Sequence, residues 1–336
     1  MSAFARLQSL VPTLTRQLHK GQAGRIAVLG GSKEYHGAPS FAATAALRCG
    51  ADLAHVFCHP DSAGAIKGFS PDLIVHSVLV CHDDLPHADA DADAADAARR
   101  GVVDAVLKWL PAVNVLIIGP GLGRDPLVLS CLRDILGHAR RLDLPCVVDG
   151  DGLQLVNAAP EVVRGNARVV LTPNVVEFAR LYEHVLGEKD RPPQRDDVDE
   201  DALGDEIRVS IDSGADDADS ALVRLAASLR VGAVVEKGPE DHVATADGAT
   251  GIVHASTRDC LRRCGGQGDV LAGVTGIFAL WAARSNMDLL AASLAASFVT
   301  RQAASFAFAE HGRAMSTSDI IAHLPAAMRA LEDRQA

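Results

Sequence analysis

The 336-residue sequence lacks paired cysteines, long apolar runs and a basic stretch, and only 4% of its residues are aromatic. Its seven cysteines include no Cys-x-x-Cys pair, which indicates unpaired thiols in a reducing compartment. No apolar run approaches the length of a membrane span, so we expect no membrane association. The net charge is −11, which argues against a nucleic-acid partner because phosphate backbones require a basic surface.

A Walker-type phosphate loop is also missing, because no Gly-Lys-Ser or Gly-Lys-Thr step occurs in the chain. The glycine-rich stretch 119–123 follows a predicted strand but lacks the G-x-G-x-x-G spacing of dinucleotide-binding turns. By itself it indicates only that the backbone approaches another group closely. Any nucleotide-binding function must therefore rest on a different pattern.

The sequence does contain a regular alternation of short apolar strands and helices. This alternation predicts an α/β fold with a mostly parallel central sheet covered by helices on both faces. The length fits one large domain or two small ones, and we assign residues 1–336 to a single domain. The predicted strands are 25–29, 53–57, 73–76, 114–118, 146–148, 169–171 and 233–236, followed by a hairpin of 243–246 and 251–254 with Asp247-Gly248 at its turn.

Two acidic segments interrupt this alternation, near residues 83–97 and 187–220. In the first, Asp and Ala alternate beside His82 and His87, and clustered His and Asp side chains could indicate a metal site. Because such a repeat fixes no ligand geometry, we interpret the segment as a solvated loop. The second segment also contains Pro, and we interpret it as a mobile surface insertion.

The first 33 residues contain five basic and no acidic side chains, which is the composition of a transit peptide. The alternative is that residues 4–19 form the first helix of the domain. We favour the helix, because no spare length separates it from the strand at 25–29. We therefore expect a cytoplasmic location, with a mitochondrial one as the alternative.

The strongest chemical signal is the loop Gly265-Gly266-Gln267-Gly268-Asp269, which directly precedes a helix of small residues. Its glycines expose main-chain N–H groups, and the positive end of the helix dipole adds to them, which predicts an anion hole at residues 265–268. Phosphoryl transfer to an alcohol needs a base for the hydroxyl proton, and Asp269 is placed to supply it. An Asp that only caps the helix is the alternative, but a cap would not require three glycines in four positions.

Two further motifs follow predicted strands and carry groups suited to phosphates or Mg²⁺. Asn174 and Glu177 share a helix face and could hold a hydrated Mg²⁺, with Glu177 acting through a water; a helix capping box is the alternative. Lys237 could contact a phosphate or belong to a plain turn. Arg262 and Arg263 could clamp ATP phosphates or form surface salt bridges.

Taken in order along the chain, these motifs resemble those of the ATP-dependent NAD(P)H-hydrate dehydratases, which belong to the ribokinase-like superfamily. Kinases of thiamine precursors share only the glycine loop with its Asp and the Asn-x-x-Glu step. The chain departs from common family residues at His36, Ser40, Gly150 and Gly152, which affects detail of the substrate loop. The resemblance spans nearly the whole chain and rests on residues 19–25, 30–35, 37–39, 50–53, 70–76, 119–124, 148–153, 172–181, 237–238 and 262–273.

The resemblance implies a ribokinase-like three-layer sandwich that acts on the hydrate of NADH or NADPH (NADHX or NADPHX), with ATP or ADP as phosphoryl donor and Mg²⁺ as the metal. The hydroxyl on the nicotinamide ring would be phosphorylated, and loss of phosphate would restore the dihydropyridine. The implied substrate residues are Gly123, Asn174, Val175, Val176, Glu177, Phe178, Ala179 and Arg180, with Tyr35 in a loop that closes over the substrate. The implied ATP residues are Lys237, Gly238, Pro239, Glu240, Asp241, Asp259, Cys260, Leu261, Arg262, Arg263 and Cys264.

Two other functions stay open at this point. One is an ATP-dependent kinase of a small vitamin-precursor alcohol, of the hydroxymethylpyrimidine or thiazole kinase type. The other is a nucleotide-binding protein without turnover. No fused epimerase domain is recognisable, so we expect a separate NAD(P)H-hydrate epimerase to act on the same substrate. The Ala-rich C-terminal helices suit a subunit interface as well as a core, which leaves a homo-oligomer open.

Overall fold

The computed structural model describes residues 2–17, 19–85, 92–187, 203–212 and 220–333. The strands are β1 Arg25–Leu29, β2 Leu53–Cys58, β3 Leu73–Ser77, β4 Val115–Ile118, β5 Cys146–Val148, β6 Val169–Leu171, β7 Arg208–Asp212, β8 Ala233–Glu236, β9 Asp241–Ala244 and β10 Thr250–His254. The helices are α1 Ala3–Gln8, α2 Gly37–Arg48, α3 Pro60–Phe69, α4 Ala92–Leu107, α5 Pro126–Arg141, α6 Gly152–Ala158, α7 Val175–Leu186, α8 Ala221–Leu229, α9 Gln267–Ser285, α10 Leu289–His311 and α11 Thr317–Asp333.

All ten strands form one sheet, in the order β3-β2-β1-β4-β5-β6-β8-β9-β10-β7. The first seven strands of this order are parallel, and the last three join antiparallel. The predicted hairpin is confirmed, since β9 and β10 pair directly, with Thr250 opposite Ala244. The loops that follow β1, β4, β5, β6 and β8 therefore meet at one edge of the sheet, where α/β proteins bind ligands.

The predicted three-layer arrangement is confirmed by which way alternate strand residues face. In β1, Ile26 and Val28 pack into one core, whereas Ala27 and Leu29 pack into the other. Successive strand side chains point to opposite faces, so a strand buried on both sides is apolar throughout. Helices α1–α3 and α9–α11 cover the first face, and α4–α8 cover the second.

The first helix is shorter than predicted, so the range 4–19 is wrong in its extent. Helix α1 ends at Gln8, because Pro12 follows soon after; proline has no N–H to donate and restricts the residue before it. The short helix nonetheless belongs to the domain. Leu7 is fully buried, and the Phe4 ring packs edge-on against Phe298 with 5.1 Å between centroids. The cellular location, cytoplasmic or mitochondrial, stays a prediction.

Both acidic segments contain regular structure that the sequence interpretation missed. Residues 92–97 begin α4 rather than continue a loop, and Arg99 of this helix pairs with Asp96 and with Asp134 of α5. In the second segment, β7 pairs antiparallel with β10, so this part is not a mobile insertion. Residues 86–91, 188–202 and 213–219, including His87, lie outside the described residues.

Helix α9 is almost entirely buried, and small residues let the backbone of a neighbouring helix approach it. A Cβ on Gly273 would lie 2.1 Å from the carbonyl oxygen of Ala42 in α2, and one on Gly276 would lie 2.7 Å from the Ile117 side chain. This close approach fixes the height of α9 against the sheet. Across the described ranges, no helix, α9 and α10 included, has the length and hydropathy needed to cross a membrane.

We expect Gly273→Ala to lower the free energy of unfolding by about 1–3 kcal/mol, because the added methyl meets main chain that cannot rotate away. The matched control is Gly101→Ala in α4, where an added Cβ has no heavy atom within 4 Å. For this control we expect the free energy of unfolding to rise by about 0.5–1 kcal/mol, since alanine loses less backbone freedom than glycine when a helix forms. Urea unfolding of both variants measures the difference, and equal effects would contradict the packing argument.

Candidate active site

A cavity of about 490 Å³ lies at the carboxyl edge of the sheet, between the start of α9, the end of β8 and the side of α10. Eight of the predicted ATP residues line it, together with two from the anion hole. These are Lys237, Gly238, Pro239, Asp241, Asp259, Cys260, Arg263, Cys264, Gln267 and Gly268. Asn174, Leu271, Thr300, Arg301 and Ala304 complete the lining, and the last four were not foreseen.

The glycine loop keeps its main-chain donors available at the mouth of α9. Gly266 is the N-cap residue, and its φ of 98° lies in the left-handed region that favours glycine. The Gly265 carbonyl accepts a hydrogen bond of 2.5 Å from the Thr317 hydroxyl, which holds the loop from outside. Within the described residues, the N–H groups of 265–268 donate no hydrogen bond. Open amides at a helix N-terminus suit an anion, as the sequence predicted.

Asp269 lies in the first turn of α9, directly after the open amides. The pKa of its carboxyl is raised to about 7, mainly by burial and then by the negative charge of Asp149, while the positive charge of Lys237 opposes the rise. A carboxyl with a pKa near the working pH can both accept and release a proton. The side chain therefore has the protonation behaviour of a general base.

Lys237 joins the loops that follow β5, β6 and β8. Its Nζ donates to Oδ1 of Asp149 at 2.6 Å and lies 3.9 Å from Oε2 of Glu177. Burial acts to lower the pKa of the ammonium, but Asp149 and Glu177 outweigh it and raise that pKa overall. The lysine therefore stays charged beside the anion hole, where a Cβ on Gly268 would lie 3.2 Å from its Nζ.

Asp149 is a site residue that the sequence analysis did not single out. It is buried at the end of β5, where Oδ1 also accepts a hydrogen bond of 2.7 Å from the Thr172 hydroxyl. The available signal was an acid placed directly after a buried strand, at the ligand-binding edge of a parallel sheet. Its partner Lys237 is 88 positions away, so the sequence could not show the pairing.

Asn174 and Glu177 form the capping box that was the alternative interpretation. The Asn174 side chain accepts from the N–H groups of Val176 and Glu177, and Oε2 of Glu177 accepts from Asn174 N at 2.8 Å. Among the described residues, Oε1 of Glu177 enters no hydrogen bond. Burial raises the pKa of this carboxyl, with Lys237 opposing the rise. A cap and a contact to hydrated Mg²⁺ are thus compatible on Glu177.

Three predicted ATP residues do not line the cavity. Oε1 of Glu240 accepts from Ala255 N at 3.0 Å, which turns this side chain toward β10. Leu261 is 85% exposed. Arg262 donates from Nε to the Met315 carbonyl at 2.8 Å, so it braces the glycine loop from behind. The family resemblance implied these residues as parts of continuous stretches, and it could not show where their side chains point.

The predicted substrate residues surround the start of α7 and the glycine-rich loops beside it. Gly123 N donates to Oδ2 of Asp151 at 3.0 Å, and Tyr35 is 60% exposed. Phe178 is buried against Tyr182 and is a core residue, because it lies on the inner face of an amphipathic helix. Val175, Val176, Ala179 and Arg180 are half-buried or exposed.

A cluster of His59, Cys81 and Asp84 has the spacing of a metal site, with ligand atoms within 4.8 Å of one another. However, His59 Nδ1 accepts from Asp61 N at 3.2 Å, which leaves the proton on Nε2, and Nε2 donates to Asp84 at 2.8 Å. Lys33 occupies the other Asp84 oxygen at 2.6 Å. The cluster therefore anchors the loop that carries Lys33 rather than binding a metal.

Fold and site together define a nucleotide-dependent enzyme of ribokinase-like architecture, with a buried carboxyl beside open amides. The chain belongs to the NAD(P)H-hydrate dehydratase family, whose model matches residues 26–326. It is 41% identical to the Bos taurus ATP-dependent (S)-NAD(P)H-hydrate dehydratase, over 98% of this chain and 89% of the relative. It is 39% identical to the Physcomitrium patens protein of the same name, over 95% of this chain and 92% of the relative.

Solved structures support the fold. The ADP/ATP-dependent NAD(P)H-hydrate dehydratase of Bacillus subtilis, co-crystallised with ATP and Mg²⁺, superposes with a TM-score of 0.65 over 98% of this chain and 97% of its own, at 18% identity. An adenosine kinase from Sinorhizobium meliloti gives a TM-score of 0.51 over 91% of this chain and 98% of its own, at 10% identity. The predicted ribokinase-like fold is confirmed.

Substitutions of the two charged neighbours should move the pKa of Asp269 in opposite directions. Asp149→Asn removes a negative charge that raises this pKa, so we expect a lower value. Lys237→Met removes the opposing positive charge, so we expect a higher one. Carboxyl carbon NMR titration reads both shifts without any assay of activity. Asp72→Asn, far along the chain on an exposed turn, is the control and should leave the titration unchanged.

Proposed function

We propose that this protein uses ATP to return the (S)-hydrate of NADH or NADPH to NAD(P)H. Its family membership and its relatives of about 40% identity, all named ATP-dependent (S)-NAD(P)H-hydrate dehydratase, support this function. The observation that carries it is the Asp269 carboxyl, with a pKa of about 7, placed beside open main-chain amides.

Asp269 has the position to accept the proton of the ring hydroxyl as that oxygen attacks the terminal phosphoryl group of ATP. The open amides of 265–268 stabilise charge on the transferred group, and Lys237 adds a fixed positive charge on the same side. Phosphate is a far better leaving group than hydroxide. Electron donation from the ring nitrogen expels it and leaves an iminium, and loss of a proton from the adjacent ring carbon then restores the dihydropyridine.

The residues present suit Mg²⁺ bound with ATP. Carboxylate oxygens are the ligands this ion prefers, and it keeps several of its waters. Oε1 of Glu177 has no hydrogen bond among the described residues, and Oε2 of the same carboxyl lies 3.9 Å from Nζ of Lys237, which lines the cavity. Glu177 would hold the hydrated ion, whose contribution is to neutralise charge on the phosphates.

A vitamin-precursor kinase would share Asp269 and the anion hole, so the site alone does not separate the two enzymes. The family model over residues 26–326 and the near full-length relatives favour the dehydratase. The relatives' names, which specify a dehydratase, also favour an enzyme over a protein that binds nucleotide without turnover. A separate epimerase, a homo-oligomer and a cytoplasmic location stay predictions.

The direct test is an assay on hydrated NADH and hydrated NADPH. We expect the near-ultraviolet absorbance of reduced nicotinamide to return only when ATP and Mg²⁺ are both present. Hydroxymethylpyrimidine with ATP is the comparison substrate. Turnover of the pyrimidine with no recovery of NADH would instead identify the kinase.

Asp269→Asn should lower kcat by roughly 100- to 10,000-fold, because the amide cannot accept the hydroxyl proton. ATP binding, measured by calorimetry, should change little, since the amides and Lys237 remain. The control is Asp104→Asn on the exposed face of α4, which should retain full activity. Normal turnover by the Asp269 variant would remove this residue from the mechanism.

The same substitution should stabilise the fold above neutral pH. The folded-state pKa of Asp269 is raised from 3.8 to about 7, so wild-type stability falls as the pH rises through that range. Asp269→Asn removes this loss, and we expect its free energy of unfolding to exceed wild type by roughly 1–4 kcal/mol at pH 8 and to match it near pH 4. Urea unfolding at the two pH values provides the measurement. A gain of equal size at both would point to a cause other than ionisation.

A further inference from the structure

Arg301 is a buried cation in the wall of the cavity, and neither the motifs nor the mechanism above assigns it a role. It lies in the middle of α10, is 8% exposed, and lines the cavity beside Thr300. A buried arginine is costly unless carboxylates neutralise it and hydrogen bonds satisfy its donors. Its contacts therefore show what it is placed to hold.

The guanidinium connects the two chain segments that the sequence predicted to bind ATP. On the first segment, Nε and Nη2 donate to the two oxygens of Asp241 at 3.0 and 2.9 Å, and Nη2 also donates to the Gly238 carbonyl at 2.7 Å. On the second segment, Nη1 donates to Oδ2 of Asp259 at 3.1 Å. Asp241 and Asp259 are 60 and 42 positions away from Arg301 in sequence, and within the described part of the chain no hydrogen bond joins the two segments directly.

The network also fixes the backbone of both segments. Oδ1 of Asp241 accepts from Gly238 N at 3.3 Å, which closes the turn after Lys237. Oδ1 of Asp259 accepts from Cys260 N at 2.9 Å, at the entry to the glycine loop. All four carboxylate oxygens are thus engaged inside the protein. The predicted ATP residues Asp241 and Asp259 consequently shape the cavity through their backbone, with their carboxylates turned to Arg301.

The planar guanidinium group of an arginine is needed to hold both segments at once. Arginine presents five N–H donors in a fixed geometry, whereas lysine offers a point charge that cannot reproduce a bidentate pair. Four of the five donors are used in the contacts above. The fifth, on Nη1, has no acceptor among the described residues, although the side chain lines the cavity.

We propose that Arg301 is a positioning residue for the phosphoryl donor: it holds the 237–241 and 259–264 segments at the separation that admits ATP. The inference rests on the proposed function, because it takes the cavity as the ATP site. Its loss should weaken ATP binding while leaving the hydrate site, formed around α7, and the proton transfer at Asp269 largely unaffected.

The test measures ATP affinity by calorimetry and steady-state kinetics for Arg301→Lys, at a temperature where circular dichroism shows the variant folded. We expect the Kd and KM for ATP to rise about tenfold or more, in keeping with the loss of charge-assisted hydrogen bonds. The kcat at saturating ATP and the KM for the hydrate should stay within about threefold of wild type. A folded variant with reduced thermal stability and unchanged ATP affinity would show a purely structural role and overturn the proposal.

A second variant covers the case in which Arg301→Lys does not fold. Asp259→Asn keeps the side-chain shape and leaves the Asp241 pair intact, yet it weakens the link to the second segment. It should raise the Kd for ATP in the same direction. The matched control is Arg168→Met, which breaks a bidentate pair with Asp143 away from this cavity and should leave ATP affinity unchanged. Equal ATP affinity in Asp259→Asn and wild type would contradict the proposal.

Calorimetry separates this inference from the proposed function. A wild-type protein that does not bind ATP contradicts both. A wild-type protein that binds ATP but does not convert the hydrate contradicts the proposed function only, and the Arg301 comparison still applies to binding. A wild-type protein that does both, with an Arg301→Lys variant of equal ATP affinity, contradicts this inference alone.

Discussion

The ion pair between Lys237 and Asp149 is the interaction on which the site depends. It links the ends of β5 and β8 at 2.6 Å and sets the charge around Asp269 from both sides. Asp149 and burial favour the protonated acid, and Lys237 favours the carboxylate. Because burial and Asp149 outweigh Lys237, the pKa of the carboxyl is raised to about 7. This is the range in which a base can act in repeated turnovers.

The position of that carboxyl depends in turn on how closely α9 packs. Gly273 allows the carbonyl of Ala42 to lie where a side chain would otherwise be. Gly276 leaves the corresponding space for the side chain of Ile117. The helix therefore sits deep in the first layer, and its N-terminus emerges at the carboxyl edge of the sheet. The open amides and Asp269 are placed by this packing, while Thr317 and Arg262 brace the loop from the α11 side.

Buried charge in this protein is arranged as small closed networks around the cavity. Lys237 is neutralised by Asp149, and Arg301 is shared by Asp241 and Asp259. Each network joins loops that are far apart in sequence and holds them in fixed positions beside the cavity. Loss of one partner leaves a buried charge uncompensated, which lowers the stability of the fold, so substitutions in these networks should have large effects. The contacts of Asp84 with Lys33 and His59 likewise join the loops that follow β1, β2 and β3.

The sequence by itself determined most of the strands and helices and pointed to the main chemical group. Short apolar runs predicted β1 and β5 with the bounds observed, and the glycine loop before a small-residue helix pointed to Asp269, because these patterns lie between near neighbours in the chain. Tertiary structure decided which charges meet. Arg301 and Thr300 carry no local signal, and the acid Asp149 after a buried strand gives no sign of its partner Lys237, 88 positions away. Strand β7 pairs with β10, which lies far from it in sequence. A side chain's partner, burial and pKa depend on groups brought together by folding, and no window of sequence contains them.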